Sequence, residues 1–234
     1  MAHQFVAFII GAAGGIDQPT ASIKLLEPNL VLKTFDAKPD QEGIDPVCFW
    51  ATGGTHLFYN NRTRFSSGLL PANSEALDWI QENGQSWRTE AELVEITSVQ
   101  TQTLDGYCLA NGLRPDFLSM DIQGAECPVL QGGQRALTTL LGIIAEVEFR
   151  QIYYHQALFA DIDSLLRARG FQFMTLYVPQ YWRLRPADTT KVLTVGEALF
   201  LRRPDGLDKA SRDKLVAIAK CFGFERYAQS TTAS

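Results

Sequence analysis

Phe117-Leu118-Ser119-Met120-Asp121-Ile122-Gln123-Gly124-Ala125-Glu126 is an apolar tetrad that hands over to an acid, an amide and a glycine. A short continuous apolar run suits a strand buried on both faces, as in a parallel sheet. Residues 128–141 read as a helix whose early proline is tolerable in the first turn. In an open α/β sheet, ligands bind outside the carboxyl ends of the strands. Asp121, Gln123 and Gly124 are therefore expected to face a ligand.

Working outward, the same alternation recurs. Residues 5–10 form a first apolar run that stops at Gly11-Ala12-Ala13-Gly14-Gly15. A helix-like segment from about Pro19 is expected to turn Ile23, Leu25 and Leu26 inward, and 31–35 form a second strand ending at Asp36. A third strand is expected at 47–51 and an excursion strand at 56–60. Ser74 is placed to cap a helix through Leu77, Trp79 and Ile80. Residues 93–99 read as a strand, and Thr103 as the cap of a helix starting at Leu104. Strands follow at 142–149, 171–177 and 197–201, with helices at 159–169 and 209–221. Strands alternating with helices give a doubly wound α/β sheet. One domain is expected over 1–228, with 53–90 as a loop-rich lid or substrate insertion and 229–234 as a disordered tail.

Composition narrows the class. The 234 residues carry 21 Lys and Arg against 26 Asp and Glu, a net charge of −5, which argues against a nucleic-acid partner. No apolar run is long enough to span a bilayer, and residues 1–10 lack the pattern of a secretory leader. The chain is expected in the cytoplasm, away from membranes. The four cysteines, Cys48, Cys108, Cys127 and Cys221, form no CxxC pair, so no metal site is expected.

The chemistry converges on one sheet edge. Glycines 11, 14 and 15 allow a tight turn and a close approach of backbone N–H groups to a ligand. The spacing is not the full GxGxxG of a dinucleotide fold, which counts against a nicotinamide-dependent oxidoreductase. Asp36, at the end of a second strand, is placed to accept hydrogen bonds from both hydroxyls of a ribose. With Asp121 the three pieces describe a crevice for an adenosine-type cofactor.

Residues 116–126 with Val129-Leu130-Gln131-Gly132-Gly133 resemble the central signature of the FkbM-type S-adenosylmethionine-dependent methyltransferases. Further matches fall in the right order: the loop 11–15, Phe35-Asp36, Ser66-Ser67, Thr103-Leu104-Asp105, Glu146-Val147-Glu148-Phe149 with Ile152-Tyr153, Gly170-Phe171 and Ala198-Leu199-Phe200. Two positions depart from the family pattern. Ile9 stands where an acid is usual, and Ser119 where a lysine is usual. The resemblance implies a Rossmann-like methyltransferase fold with a mostly parallel seven-stranded sheet flanked by helices and one late antiparallel strand. It implies S-adenosyl-L-methionine as cofactor, held by Gly11, Ala12, Ala13, Gly14, Gly15, Asp36, Ala51, Asp121, Gln123 and Gly124. The implied reaction is methyl transfer to a hydroxyl oxygen of a small molecule or sugar. A hydroxyl acceptor must lose its proton, so a base is needed. His155 is the first candidate, since histidine titrates nearest neutrality; Asp121 and Glu148 complete the catalytic set. The rival is a catalytically silent binding or partner protein on the same fold. The sequence leaves a homo-oligomer open.

Overall fold

The computed structural model describes residues 4–229. In chain order the elements are β1 (Phe5–Ile10), β2 (Leu30–Asp36), β3 (Asp45–Pro46), β4 (Cys48–Phe49), β5 (Gly54–Asn61), α1 (Trp87–Glu90), β6 (Leu93–Gln102) and α2 (Leu104–Asn111). They continue with β7 (Phe117–Met120), α3 (Glu126–Gln131), α4 (Ala136–Thr139), β8 (Gly142–Glu148), α5 (Phe159–Ala168), β9 (Phe171–Trp182), β10 (Val192–Arg202), α6 (Lys209–Cys221) and α7 (Glu225–Gln229). The main sheet runs β3-β2-β1-β7-β8-β10-β9, and a small one runs β4-β6-β5. From β3 to β8 every pairing is parallel; β10 is antiparallel to both β8 and β9. This is the α/β architecture of a Rossmann-like methyltransferase fold, with one late strand reversed.

The apolar runs explain it. Alternate residues of β1 feed two layers: Phe8 and Ile10 pack with α2, α3 and α5, while Ala7 and Ile9 pack with α6. A third cluster, Leu70, Trp87, Ile152, Tyr153 and Trp182, lies where residues 70–91 dock on the end of β9. Thr103 caps α2 by accepting the Gly106 N–H. Asp208 caps α6 by accepting the Ser211 N–H.

Four expectations are corrected. The segment after Pro19 is a 3-10 helix, Thr20–Leu26. With three residues per turn, Ile23 and Leu26 share a face and Leu25 does not; Leu25 is 75% exposed. Of the expected strand 47–51 only Cys48–Phe49 forms, and it pairs with β6 in the small sheet; the residues that extend the main sheet beside β2 are Asp45–Pro46, just before it. Pro46 has no N–H with which to continue the ladder. Residues after Ser74 form turns rather than a helix, and Ser74 Oγ pairs with the Tyr154 hydroxyl at 2.5 Å instead. The helix expected over 128–141 breaks at Gly132-Gly133. A Cβ on Gly132 would lie 2.5 Å from the Trp50 carbonyl oxygen, and one on Gly133 would lie 2.8 Å from Leu104 Cδ2, so neighbouring chain occupies the space a helix side chain needs. Of the expected tail, Gln229 ends α7, and 230–234 lie outside the described residues.

Candidate active site

Three strand ends are laced together. The Gly11 N–H donates to the Phe35 carbonyl at 2.9 Å, and the Asp121 N–H donates to the Ile10 carbonyl at 3.1 Å. The chain must turn sharply there, and Gly11 does so at φ +86°, where a Cβ would sit 1.8 Å from the Asp121 carbonyl oxygen. A cleft opens above this junction. Gly11, Gly14, Asp36, Asp121 and Gln123 line it together with Phe49, Phe58 and Phe65.

The small sheet forms its far wall. Asp36 Oδ1 accepts the Lys38 N–H at 2.8 Å. Lys38 Nζ donates to Asn60 Oδ1 at 2.6 Å and Thr97 Oγ1 at 2.8 Å, and lies 4.7 Å from the centre of the Phe58 ring. Lys38 therefore joins the end of β2 to β5 and β6. Arg64, on the same wall, is ion-paired with Asp40.

The floor is a carboxylate network. Gln123, in the left-handed region at φ +58°, donates from Nε2 to Asp121 Oδ1 at 2.6 Å and to Glu146 Oε2 at 3.3 Å. Its Oε1 accepts the Tyr153 hydroxyl at 2.8 Å, which also lies 3.1 Å from the Ser66 carbonyl. The tyrosine thus fixes which end of the amide meets the acids. Burial pushes the Asp121 and Glu146 carboxyls up, and the neighbouring Asp121 raises Glu146 further. Asp121 is nevertheless exposed to the cleft, so solvent tempers that push.

Deeper in, Glu126 is 1% exposed and accepts the Ile122 N–H at 2.8 Å. Burial raises its pKa to about 8 despite that bond. Glu148 is also 1% exposed, and neither of its carboxyl oxygens makes a hydrogen bond of ordinary geometry among the described residues. The Gln156 amide lies near enough to favour its ionised form, but burial outweighs it and the pKa is held well up. Burial also raises Glu197, opposite Glu146 across β8 and β10, to about 7.

The remaining expected site residues fall elsewhere. Ala12 is buried under the first loop. Ala13 lies within the same 3-10 turn, Ala12–Gly14. A Cβ on Gly15 would meet nothing within 4 Å. Ala51 packs against Gly132. Gly124 turns at φ +88° against Gln156, whose Nε2 would lie 2.9 Å from a Cβ. His155 is exposed and does not line the cleft. Glu148 is sealed below it. Glu146, which the sequence marks for no chemistry of its own, completes the floor with Tyr153. Glu146 and Glu148 lie on one face of β8, and only the folded strand shows which of them meets Gln123 behind the cleft. Ile9 is buried in the apolar layer under α6, and Ser119 hydrogen-bonds Thr20 (Oγ to Oγ1, 2.7 Å).

Residues 40–173, more than half of the chain, match the family described as the methyltransferase FkbM domain. The chain belongs to the FkbM methyltransferase family. The matched stretch contains Asp121, Gln123, Glu146 and Tyr153; Gly11 and Asp36 precede it. The chain is also similar to a protein named 2-O-methyltransferase NoeI from Sinorhizobium fredii, at 39% identity over 70 residues, which is 30% of this chain and 29% of that protein. No solved structure matches the chain. Among the described residues, no helix is long and apolar enough to cross a membrane.

Proposed function

We propose that this chain is an S-adenosylmethionine-dependent O-methyltransferase acting on a hydroxyl of a small molecule or sugar. One observation carries the reading: an acid at the end of β2, Asp36, and an acid at the end of β7, Asp121, share a single cleft with the glycine turn after β1. The donor set suits a cationic nucleoside. Asp36 keeps one carboxylate oxygen beyond the Lys38 N–H for a ribose diol. Phe49 and Phe58 offer aromatic faces for a base. Gly11 and Gly14 leave the mouth free of side chains. The carboxylates of the floor favour a positive centre.

The cofactor, when bound, supplies an electrophilic methyl group on sulfur. The chain's part is alignment and proton removal. Asp121 lines the cleft and is joined to Glu146 through Gln123, so the pair offers the carboxylate oxygen that takes the acceptor's hydroxyl proton. Gln123, pinned by Tyr153, keeps that pair in register. Holding donor and acceptor in line replaces a costly encounter in solution and supplies much of the acceleration. The name of the Sinorhizobium relative supports oxygen as the acceptor atom.

Calorimetric titration with S-adenosylmethionine and S-adenosylhomocysteine tests this. Wild type binds in the micromolar range, on the order of −8 kcal/mol, and Asp36→Ala loses that binding while remaining folded. Folded wild type that binds neither compound sinks the reading. The buried Ile9, where the family pattern has an acid, favours a second reading, a silent binding protein on this fold. Binding without methyl release across a panel of hydroxyl acceptors would select it.

A further inference from the structure

The ladder between β5 and β6 leaves one edge of β6 open. Tyr59 donates its N–H to the Gly68 carbonyl at 2.8 Å and accepts the Gly68 N–H at 3.2 Å. Both bonds lie on the side of β5 away from β6, and Tyr59 stands opposite Ile96. In an antiparallel ladder, two directly opposed residues either exchange both bonds or both turn outward. Tyr59 turns outward, so Ile96 does too, and its N–H and C=O point away from β5. Ser98 and Gln100 follow in the same phase. Gln102 agrees with it, because its carbonyl accepts the Trp50 N–H from that outer side at 3.0 Å. β4 covers only Thr101 and Gln102. The Cys48–Thr101 pairing engages the Gln100 carbonyl, and among the described residues no strand pairs with the outward groups of Ile96 and Ser98.

The side chains do not defend this edge. Val94 is 71% exposed, Leu57 54% and Ile96 49%. β6 contains no Lys, Arg or Pro, and Glu95 is its single charge. Soluble proteins ordinarily blunt such edges with charge, proline or a covering element. An exposed apolar edge of this length is a template for another strand.

Charge and length together choose the occupant and the register. The stretch clear of β4 is 93–99, which a two-fold pairing centred on Ile96 uses in full. That centring sets Ile96 against its own counterpart. It also sets Glu95 opposite Thr97 of the second copy, where Thr97 Oγ1 holds the Lys38 ammonium at 2.8 Å. Glu95 of each copy then lies beside Lys38 of the other, giving two symmetric ion contacts. Centring on Glu95 would oppose two carboxylates, which destabilises a strand pair. Centring on Thr97 sets Glu95 against Val99 and gains no charge pairing.

We propose that the outer edge of β6 pairs antiparallel with β6 of a second copy, centred on Ile96, joining the two small sheets into one six-stranded sheet. The dimer is isologous, as closed two-fold assemblies are, and it does not rest on the methyl-transfer reading. The test uses the full chain in sedimentation velocity together with cysteine cross-linking. Wild type sediments at twice the chain mass at micromolar concentration. Ile96→Cys forms a covalent dimer under mild oxidation. Val99→Cys, whose opposite residue is Leu93, does not, and wild type sets the background of the four native thiols. Ile96→Lys and Ser98→Lys, both at exposed positions, shift the mass to monomer at the same concentration with unchanged far-UV circular dichroism. A second lysine site keeps the test valid if one variant misfolds. A monomeric wild type at every concentration overturns the proposal. So does a dimer that survives both lysines and gives no Ile96 cross-link.

Discussion

Gln123 can serve the cleft only if its amide keeps its nitrogen toward Asp121 and Glu146, and the Tyr153 hydroxyl is what enforces that orientation. Tyr153→Phe removes one buried hydrogen bond, worth about 1 kcal/mol, and leaves the ring packed edge-on against Trp87. The variant is expected to fold and to bind S-adenosylmethionine about five- to tenfold more weakly by calorimetry, and unchanged affinity would show that Tyr153 does not position the floor. Gly11 and Gly15 separate strain from collision. Both hold positive φ, +86° and +98°, but a Cβ at 15 meets open space whereas one at 11 meets the Asp121 carbonyl oxygen at 1.8 Å. Gly15→Ala should cost about 1–3 kcal/mol for its backbone alone. Gly11→Ala must also push the β7 end away, and should lower Tm further in thermal denaturation and abolish cofactor binding. Equal losses for the two would mean that the close approach at Gly11 is tolerated.

Among the elements, the break between α3 and α4 needs an anchor, and Asp105 provides it. Its carboxylate accepts the Arg135 N–H at 2.8 Å and the Ala136 N–H at 2.8 Å, so the start of α2 caps the start of α4. Asp105→Ala should cost about 1–2 kcal/mol, as loss of a helix cap does, read as a lower urea midpoint with an unchanged m-value. This clamp lies in no local pattern, which explains what the sequence could and could not convey. β1, β2, β7 and β8 are legible because each holds a short unbroken apolar run, such as Leu30–Leu32 in β2 and Ile143–Ala145 in β8. α6 is legible because Asp208 caps an amphipathic run. The break at Gly132-Gly133 is not, because the atoms that forbid side chains there belong to Trp50 and Leu104, far away in the chain. The division of β3 from β4 turns on one missing N–H, at Pro46. Asp36 and Asp121 are readable as strand-end acids. Lys38 and Phe65 line the cleft only because the segment that carries the small sheet docks beside β2, and no local period encodes that docking.

Over the whole molecule, the net charge of −5 matters less than where the acids stand. Burial pushes Glu126 to about 8 and Glu197 to about 7, and raises Asp121, Glu146 and Glu148 as well. A carboxyl whose folded pKa lies above its unfolded value near 4.5 binds its proton more tightly in the folded state, so stability falls as pH rises between the two values. The window runs from about pH 5 to about pH 8. Asp208, held low by the Ser211 N–H, acts in the opposite sense but below this window. Each tenfold difference in proton affinity is about 1.4 kcal/mol, or roughly 3–6 °C of Tm for a chain of this size. Calorimetric Tm should therefore be higher at pH 5.5 than at pH 8.5. Glu126→Gln, which keeps an oxygen for the Ile122 N–H, should flatten that slope, and a slope unchanged in the variant would remove Glu126 as its cause. The same charges give the proposed cofactor a signature. A sulfonium favours ionised carboxylates, so its binding competes with their protons, whereas the neutral thioether of S-adenosylhomocysteine competes far less. The ratio of the two affinities, favouring S-adenosylmethionine, should rise between pH 6 and pH 8 and level off above. A ratio flat across that range would mean that the acids of the floor do not face the sulfur, and the alignment proposed for methyl transfer would fail with it.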